Sequence, residues 1–72
     1  MSEVVFVPLQ GEPGYTRPVH ADHLEGDMYV ITVEQEPAGE KWEFPPLSRV
    51  RCKEHVFEDG ARGLLAVELV AK

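Results

Sequence analysis

Four side chains are spaced as metal ligands are. His20 and His23 lie three apart in "HADH", and Cys52 and His55 lie three apart in "CKEH". Imidazoles and a thiolate are donors that zinc accepts, but the local pattern argues against a shared ion. Cys52 and His55 fall in an alternating run, Ser48 to Phe57, and on a strand residues three apart point to opposite faces. His20 and His23 would share a face only if Asp22 to Glu25 formed a helical turn, ended by Gly26. We expect ordinary surface histidines, with no metal and no cofactor. Cys52 is also the chain's single thiol. Its neighbours Arg51 and Lys53 would lower the thiol pKa if they lay beside the sulfur, yet alternation turns them away from it. Cys52 therefore reads as a small core residue. A small enzyme or thiol-reactive protein using Cys52 is the least favoured alternative.

Other catalytic signals are weak. Glu34 with Glu36, and Glu58 with Asp59, flank turns and read as solvated loop charges. "GEPG" and "GARG" lack the Lys-Ser/Thr and following helix that a phosphate-binding loop requires. The expectation is that the protein is not an enzyme.

Two groups of residues are candidates for partner binding. In "KWEFPP", Trp42 and Phe44 are two apart in an extended segment and point the same way. They could plug an open end of the fold, with Pro45 and Pro46 setting the angle, or line an aromatic peptide groove with Tyr15 or Tyr29. The plug is favoured, because one tryptophan and two tyrosines are few aromatics for a groove. The second group is the row Arg49, Arg51 and Lys53 on one strand face. It reads first as a solvated face paired with acids such as Glu68, or as protection of a strand edge. Its functional reading is a patch for an acidic partner, with Arg17 as a basic residue the fold could bring alongside.

These residues need elements to carry them. No window holds the helical apolar period for more than a turn, and six prolines and six glycines punctuate the chain as turns do in small all-β proteins. Five strands are expected. The first is Glu3 to Leu9, ending or lying at an edge near Pro8. Thr16 to Ala21 is short and irregular at Pro18. Met28 to Glu34 places Tyr29, Ile31 and Val33 on one face. Ser48 to Phe57 places Val50, Cys52 and Val56 on one face and the basic row and His55 on the other. Leu64 to Ala71 is expected to face Leu65, Val67 and Leu69 inward and Glu68 outward. Five short strands in 72 residues predict a single domain, a five-stranded antiparallel SH3-like barrel. The alternative is an open β-meander that dimerises to complete its core.

Three segments together resemble a group of small bacterial proteins to which no activity is assigned. They are Arg17-Pro18-Val19 with Ala21, Leu24, Tyr29 and Ile31; Trp42 to Pro46 with Val50-Arg51-Cys52; and Gly63-Leu64 with Ala66-Val67-Glu68. Leu47 stands where that pattern has Gly, and Thr16 where it has Trp. The resemblance implies a bacterial, compact, independent domain and brings no site or substrate with it.

Composition narrows the partners. Thirteen acidic against seven basic residues leave a net charge of −6. That opposes direct nucleic-acid binding and attraction to anionic membranes. No run approaches the ~20 apolar residues of a membrane helix, and no targeting signal is read at the N-terminus. A lone cysteine forms no intramolecular disulfide and suits a reducing compartment, so a cytoplasmic location is expected. The function expected is a non-catalytic protein-interaction or regulatory module, monomeric or homodimeric. The alternative is an acidic nucleic-acid mimic that occupies a basic DNA- or RNA-binding protein.

Overall fold

A computed structural model describes residues 2–12 and 14–71. Met1, Pro13 of the first loop, and Lys72 lie outside the described residues. Five strands form a closed barrel in chain order: β1 (Ser2–Pro8), β2 (Thr16–Glu25), β3 (Met28–Ile31), β4 (Arg49–Val56) and β5 (Arg62–Ala71). Each consecutive pair is antiparallel. With an odd number of alternating strands the first and last must run the same way. The seam is accordingly parallel, Val5 opposite Leu64 and Phe6 opposite Leu65. The all-β barrel agrees with expectation, except that its seam is not antiparallel. The open meander does not form, because the ring closes within one chain.

Alternation explains the core. Val5 and Val7 of β1, Val19 and Ala21 of β2, Tyr29 and Ile31 of β3, and Val50 and Cys52 of β4 all point inward and are buried. The radius of gyration is 11.3 Å, close to the ~11 Å expected of a compact chain this long.

Four expectations are corrected by the structure. β2 continues as strand to Glu25, so Asp22 to Glu25 is not a helical turn. The strand pairs with β1 from Thr16 to Asp22 and with β3 from Ala21 to Glu25. Pro18 pairs only towards β1, where its missing N–H costs no β2–β3 bond. The chain leaves β3 after Ile31, sooner than the expected Glu34, although Val33 still packs on the core.

The first part of β5 faces one residue out of step with expectation. Ala66 is buried and Leu64 packs on the core, whereas Val67 and Leu69 are exposed and Leu65 sits opposite outward-facing Lys53. Regular pairing with β4 sets this parity, Ala66 standing opposite buried Cys52, and two register irregularities follow it. Arg51 faces Glu68 while Cys52 faces Ala66, and Arg49 faces Ala71 while Val50 faces Leu69. Val67 and Val70 are extra residues on β5, and the bulge at Val67 restores the expected parity: Glu68 lies outward opposite Arg51, and Leu69 lies opposite buried Val50 although it is 39% exposed. Finally, Val56 is 55% exposed. β1 reaches only Leu64 and Leu65 of β5, so the far end of the β4–β5 hairpin projects past the barrel wall.

Candidate partner-binding groove

The projecting hairpin borders a broad concavity. Its tip is a tight turn in which the Gly60 N–H donates to the Phe57 carbonyl (2.9 Å) and the Phe57 N–H to the Ala61 carbonyl (2.8 Å). Gly60 takes a positive φ of 87°, the left-handed conformation common in hairpin loops of this size. The Asp59 carboxylate accepts from the Ala61 N–H at 3.0 Å.

Phe6 points outward from β1, since its neighbours Val5 and Val7 point in. Its ring lies 4.7 Å from that of Phe57, and His55 meets Phe57 edge-on at 4.7 Å. Gly63 allows this approach: a Cβ there would lie 2.6 Å from Cε1 of Phe6. The β1–β2 loop supplies the opposite wall with Tyr15, which is 68% exposed. Between the loop and the tip lies an open groove of about 910 Å3, with Phe6 and Phe57 in its floor and Glu58 and Asp59 at its rim. The groove sets aromatic faces beside carboxylates.

The other candidates sit elsewhere. Trp42 is 3% exposed and belongs to the core, and Phe44 is half-buried against it. The segment 32–48 crosses the barrel as a strap. Trp42 anchors it: its N–H donates to Glu36 (2.7 Å), its carbonyl accepts from the Gln10 side chain (3.2 Å), and its indole N–H donates to Glu40 (3.1 Å). Leu9 bridges Trp42 across the strap. Arg17 reaches Glu40 with two guanidinium nitrogens. The hydrogen bonds from Arg17, then from Trp42, hold the Glu40 carboxyl below its ordinary pKa, and Glu40 in turn raises that of Arg17. Glu36 and Glu40 thus fasten the strap, so Glu36 is not the solvated loop charge expected of it. A small cavity of about 170 Å3 beside Trp42 is bordered by Arg17, Val33 and Pro37.

The basic row is on the outer face of β4. Arg51 pairs with Glu68 at 3.0 Å and lies 3.7 Å from Asp27. Arg49 and Lys53 are exposed. None of the three lines the groove.

The His and Cys residues are dispersed. His23 Nε2 lies 2.8 Å from the Gly26 carbonyl oxygen, and its ring packs on Tyr29 at 4.9 Å. Cys52 is buried in the barrel, whereas His55 stands outside on the hairpin. Among the described residues no three His, Cys, Asp or Glu side chains are grouped to hold a metal ion. Burial, with a smaller contribution from Asp27, pushes the Cys52 thiol up to about 11. Burial also raises the Tyr29 hydroxyl, helped by the charge of Glu3.

Of the partner-binding candidates named from sequence, Tyr15 alone borders the groove, alongside His55, Glu58 and Asp59, which the sequence reads as a surface histidine and loop charges. The Phe6–Phe57 pair was missed, as was its meeting with His55. The one local signal was "EDGARG" beside "HVF", a hairpin tip carrying an aromatic next to acids. No helix among the described residues is long and apolar enough to cross a membrane. Comparison with protein families, curated proteins and solved structures finds no match.

Proposed function

We propose that the protein is a non-catalytic interaction module, cytoplasmic and of SH3-like build, whose working surface is the groove between Tyr15 and the β4–β5 tip. The observation that carries this reading is the exposure of Tyr15 at 68% beside a second aromatic pair in an otherwise acidic, polar neighbourhood. In a chain this short, aromatic area is scarce and ordinarily goes to the core. Tyrosine left in solvent beside a concavity is a common partner anchor. The buried, poorly ionised Cys52 supports a non-catalytic role, since a thiol nucleophile acts as thiolate. Trp42 and Phe44, being in or against the core, serve the fold and not the surface.

The acidic-mimic reading has less support. Carboxylates are distributed among the β2–β3 turn (Asp27), the strap (Glu36, Glu40), the hairpin tip (Glu58, Asp59) and the outer face of β5 (Glu68), and several are occupied by internal bonds.

Site-specific photo-crosslinking in the native host tests the proposal. A photoreactive phenylalanine analogue in place of Tyr15 should give a discrete adduct, and the same analogue in place of Lys53 should give none. Adducts at position 53 alone, or equal adducts at both, would overturn it.

A further inference from the structure

The lining of the groove has a chemical bias. It combines the rings of Phe6, Tyr15 and Phe57 with two carboxylates, Glu58 and Asp59, and contains neither lysine nor arginine. The nearest cation on the hairpin, Arg62, is turned to Glu54 at 3.9 Å. One Asp59 oxygen is engaged by the Ala61 N–H, which leaves its other oxygen and the exposed Glu58 carboxylate to face a ligand. At about 910 Å3 the groove lies near the upper end of the ~300–1,000 Å3 range of ligand pockets. That is room for a peptide segment and far more than a single ion needs.

Building on the groove as the working surface, we propose that its occupant is an extended peptide segment presenting arginine. A guanidinium is planar. It stacks on tyrosine and phenylalanine faces while its edge donates to carboxylates in a fork, and it is less strongly hydrated than an ammonium. The groove offers both partners at once: Tyr15 and Phe57 for the face, Glu58 and Asp59 for the edge. A net charge of −6 draws such a segment in from solution. Phosphate-bearing and carboxylate-bearing ligands meet like charge at the same rim. A neutral proline-rich peptide would use the rings and leave the carboxylates without a role.

Titration of the 15N-labelled full chain tests this with three capped peptides of one sequence, carrying two arginines, two lysines or two citrullines. Citrulline keeps the shape of arginine and removes its charge. The arginine peptide should shift the amides of Tyr15, Thr16 and His55 to Ala61. The lysine peptide should bind more weakly, and the citrulline peptide about tenfold more weakly, a difference of about 1.4 kcal/mol. The double variant Glu58→Gln/Asp59→Asn should bring the arginine peptide down to the level of citrulline. The side-chain amide oxygen introduced by Asp59→Asn can still accept from Ala61, so the turn survives. Equal binding of arginine and citrulline peptides in the groove, or no effect of the double variant, would overturn arginine recognition while leaving a docking groove in place. No groove shifts with any of the three peptides would also overturn the arginine occupant, and the groove itself would then stand or fall on the Tyr15 crosslink.

Discussion

Replacing Trp42 with alanine removes the largest side chain of a core assembled from small residues. Among the described residues the rest of its hydrophobic core is valines, alanines, one isoleucine, one tyrosine and one cysteine. A buried tryptophan covers ~150–250 Å2, and its truncation in a core costs ~3–5 kcal/mol. The indole N–H bond to Glu40 is lost as well, although Arg17 still holds that carboxylate. A domain of this size rarely has more than ~3–5 kcal/mol of stability. Trp42→Ala should therefore leave much of the population unfolded at 25 °C without denaturant. Urea titration followed by far-ultraviolet circular dichroism measures the loss. Trp42→Phe keeps a ring in the cavity and gives up the N–H donor, and should cost about 1–2 kcal/mol, within the range for shape-altering core swaps. In the parent chain the single tryptophan makes fluorescence a second probe: emission should shift to the red as the strap opens. A folded Trp42→Ala protein with an unchanged urea midpoint would refute the strap as the closing element of the core.

The remaining predictions concern the thiol, the hairpin and the basic row. Cys52 should react slowly with a disulfide reagent in the folded protein and quickly in denaturant, and rapid native labelling would contradict its burial. Its thiol rises from an ordinary 9.0 to about 11 on folding, so the unfolded chain loses its proton first. Stability from this group is complete below pH ~9 and falls as the pH climbs to ~11. Tyr29, also raised, acts with the same sign, and Cys52→Ala should flatten part of the alkaline slope in urea midpoint. Gly63→Ala should cost about 1–3 kcal/mol by forcing the Phe6 ring off the hairpin, and the added substitution Phe6→Leu should recover part of it; an unchanged midpoint for Gly63→Ala would show that the ring moves freely. Reversing charge at Arg49 and Lys53 should change stability by less than ~1 kcal/mol and leave Tyr15-dependent crosslinking intact. The parent protein should not be retained on heparin or duplex DNA at physiological salt.

The strands were legible because their signals are local. Period-2 alternation marks Val5 and Val7, Tyr29 and Ile31, and Val50 and Cys52, and glycines sit at the turns, as Gly26 and Gly60 do with positive φ. The facing of β5 was not legible. "LLAVELVA" is apolar on both parities, so alternation alone cannot choose a face; pairing against β4 sets Leu64 and Ala66 inward, and a bulge at Val67 then changes the parity. The strap's polar fastening was hidden for another reason. Glu36 and Glu40 look like loop acids until the fold brings the Trp42 backbone to one and Arg17 to the other. The groove required three segments to meet, Phe6, Tyr15 and the tip around Phe57, and no linear spacing encodes that meeting.

Leu47 shows how the fold and the surface divide this small chain between them. It adopts φ 65°, the left-handed region that costs an L-residue roughly 1–2 kcal/mol and glycine almost nothing. It follows Pro46 at the third position of a turn in which the Ser48 N–H and hydroxyl both reach the Pro45 carbonyl. Proline at the second position and positive φ at the third are the marks of a type II turn, which favours glycine at the third. A leucine is held in the conformation because both sides of the turn are fastened: Trp42 is anchored in the core before it, and Ser48 is buried at its end, accepting from Ile31 through its carbonyl. The stretch from Trp42 to Ser48 is thus committed to closing the barrel. With those aromatics taken up by the core, the rings left to meet a partner are the ones outside the wall, Tyr15, Phe57 and Phe6. That division supports the proposal of a docking surface on the projecting hairpin, away from the tryptophan that dominates the sequence.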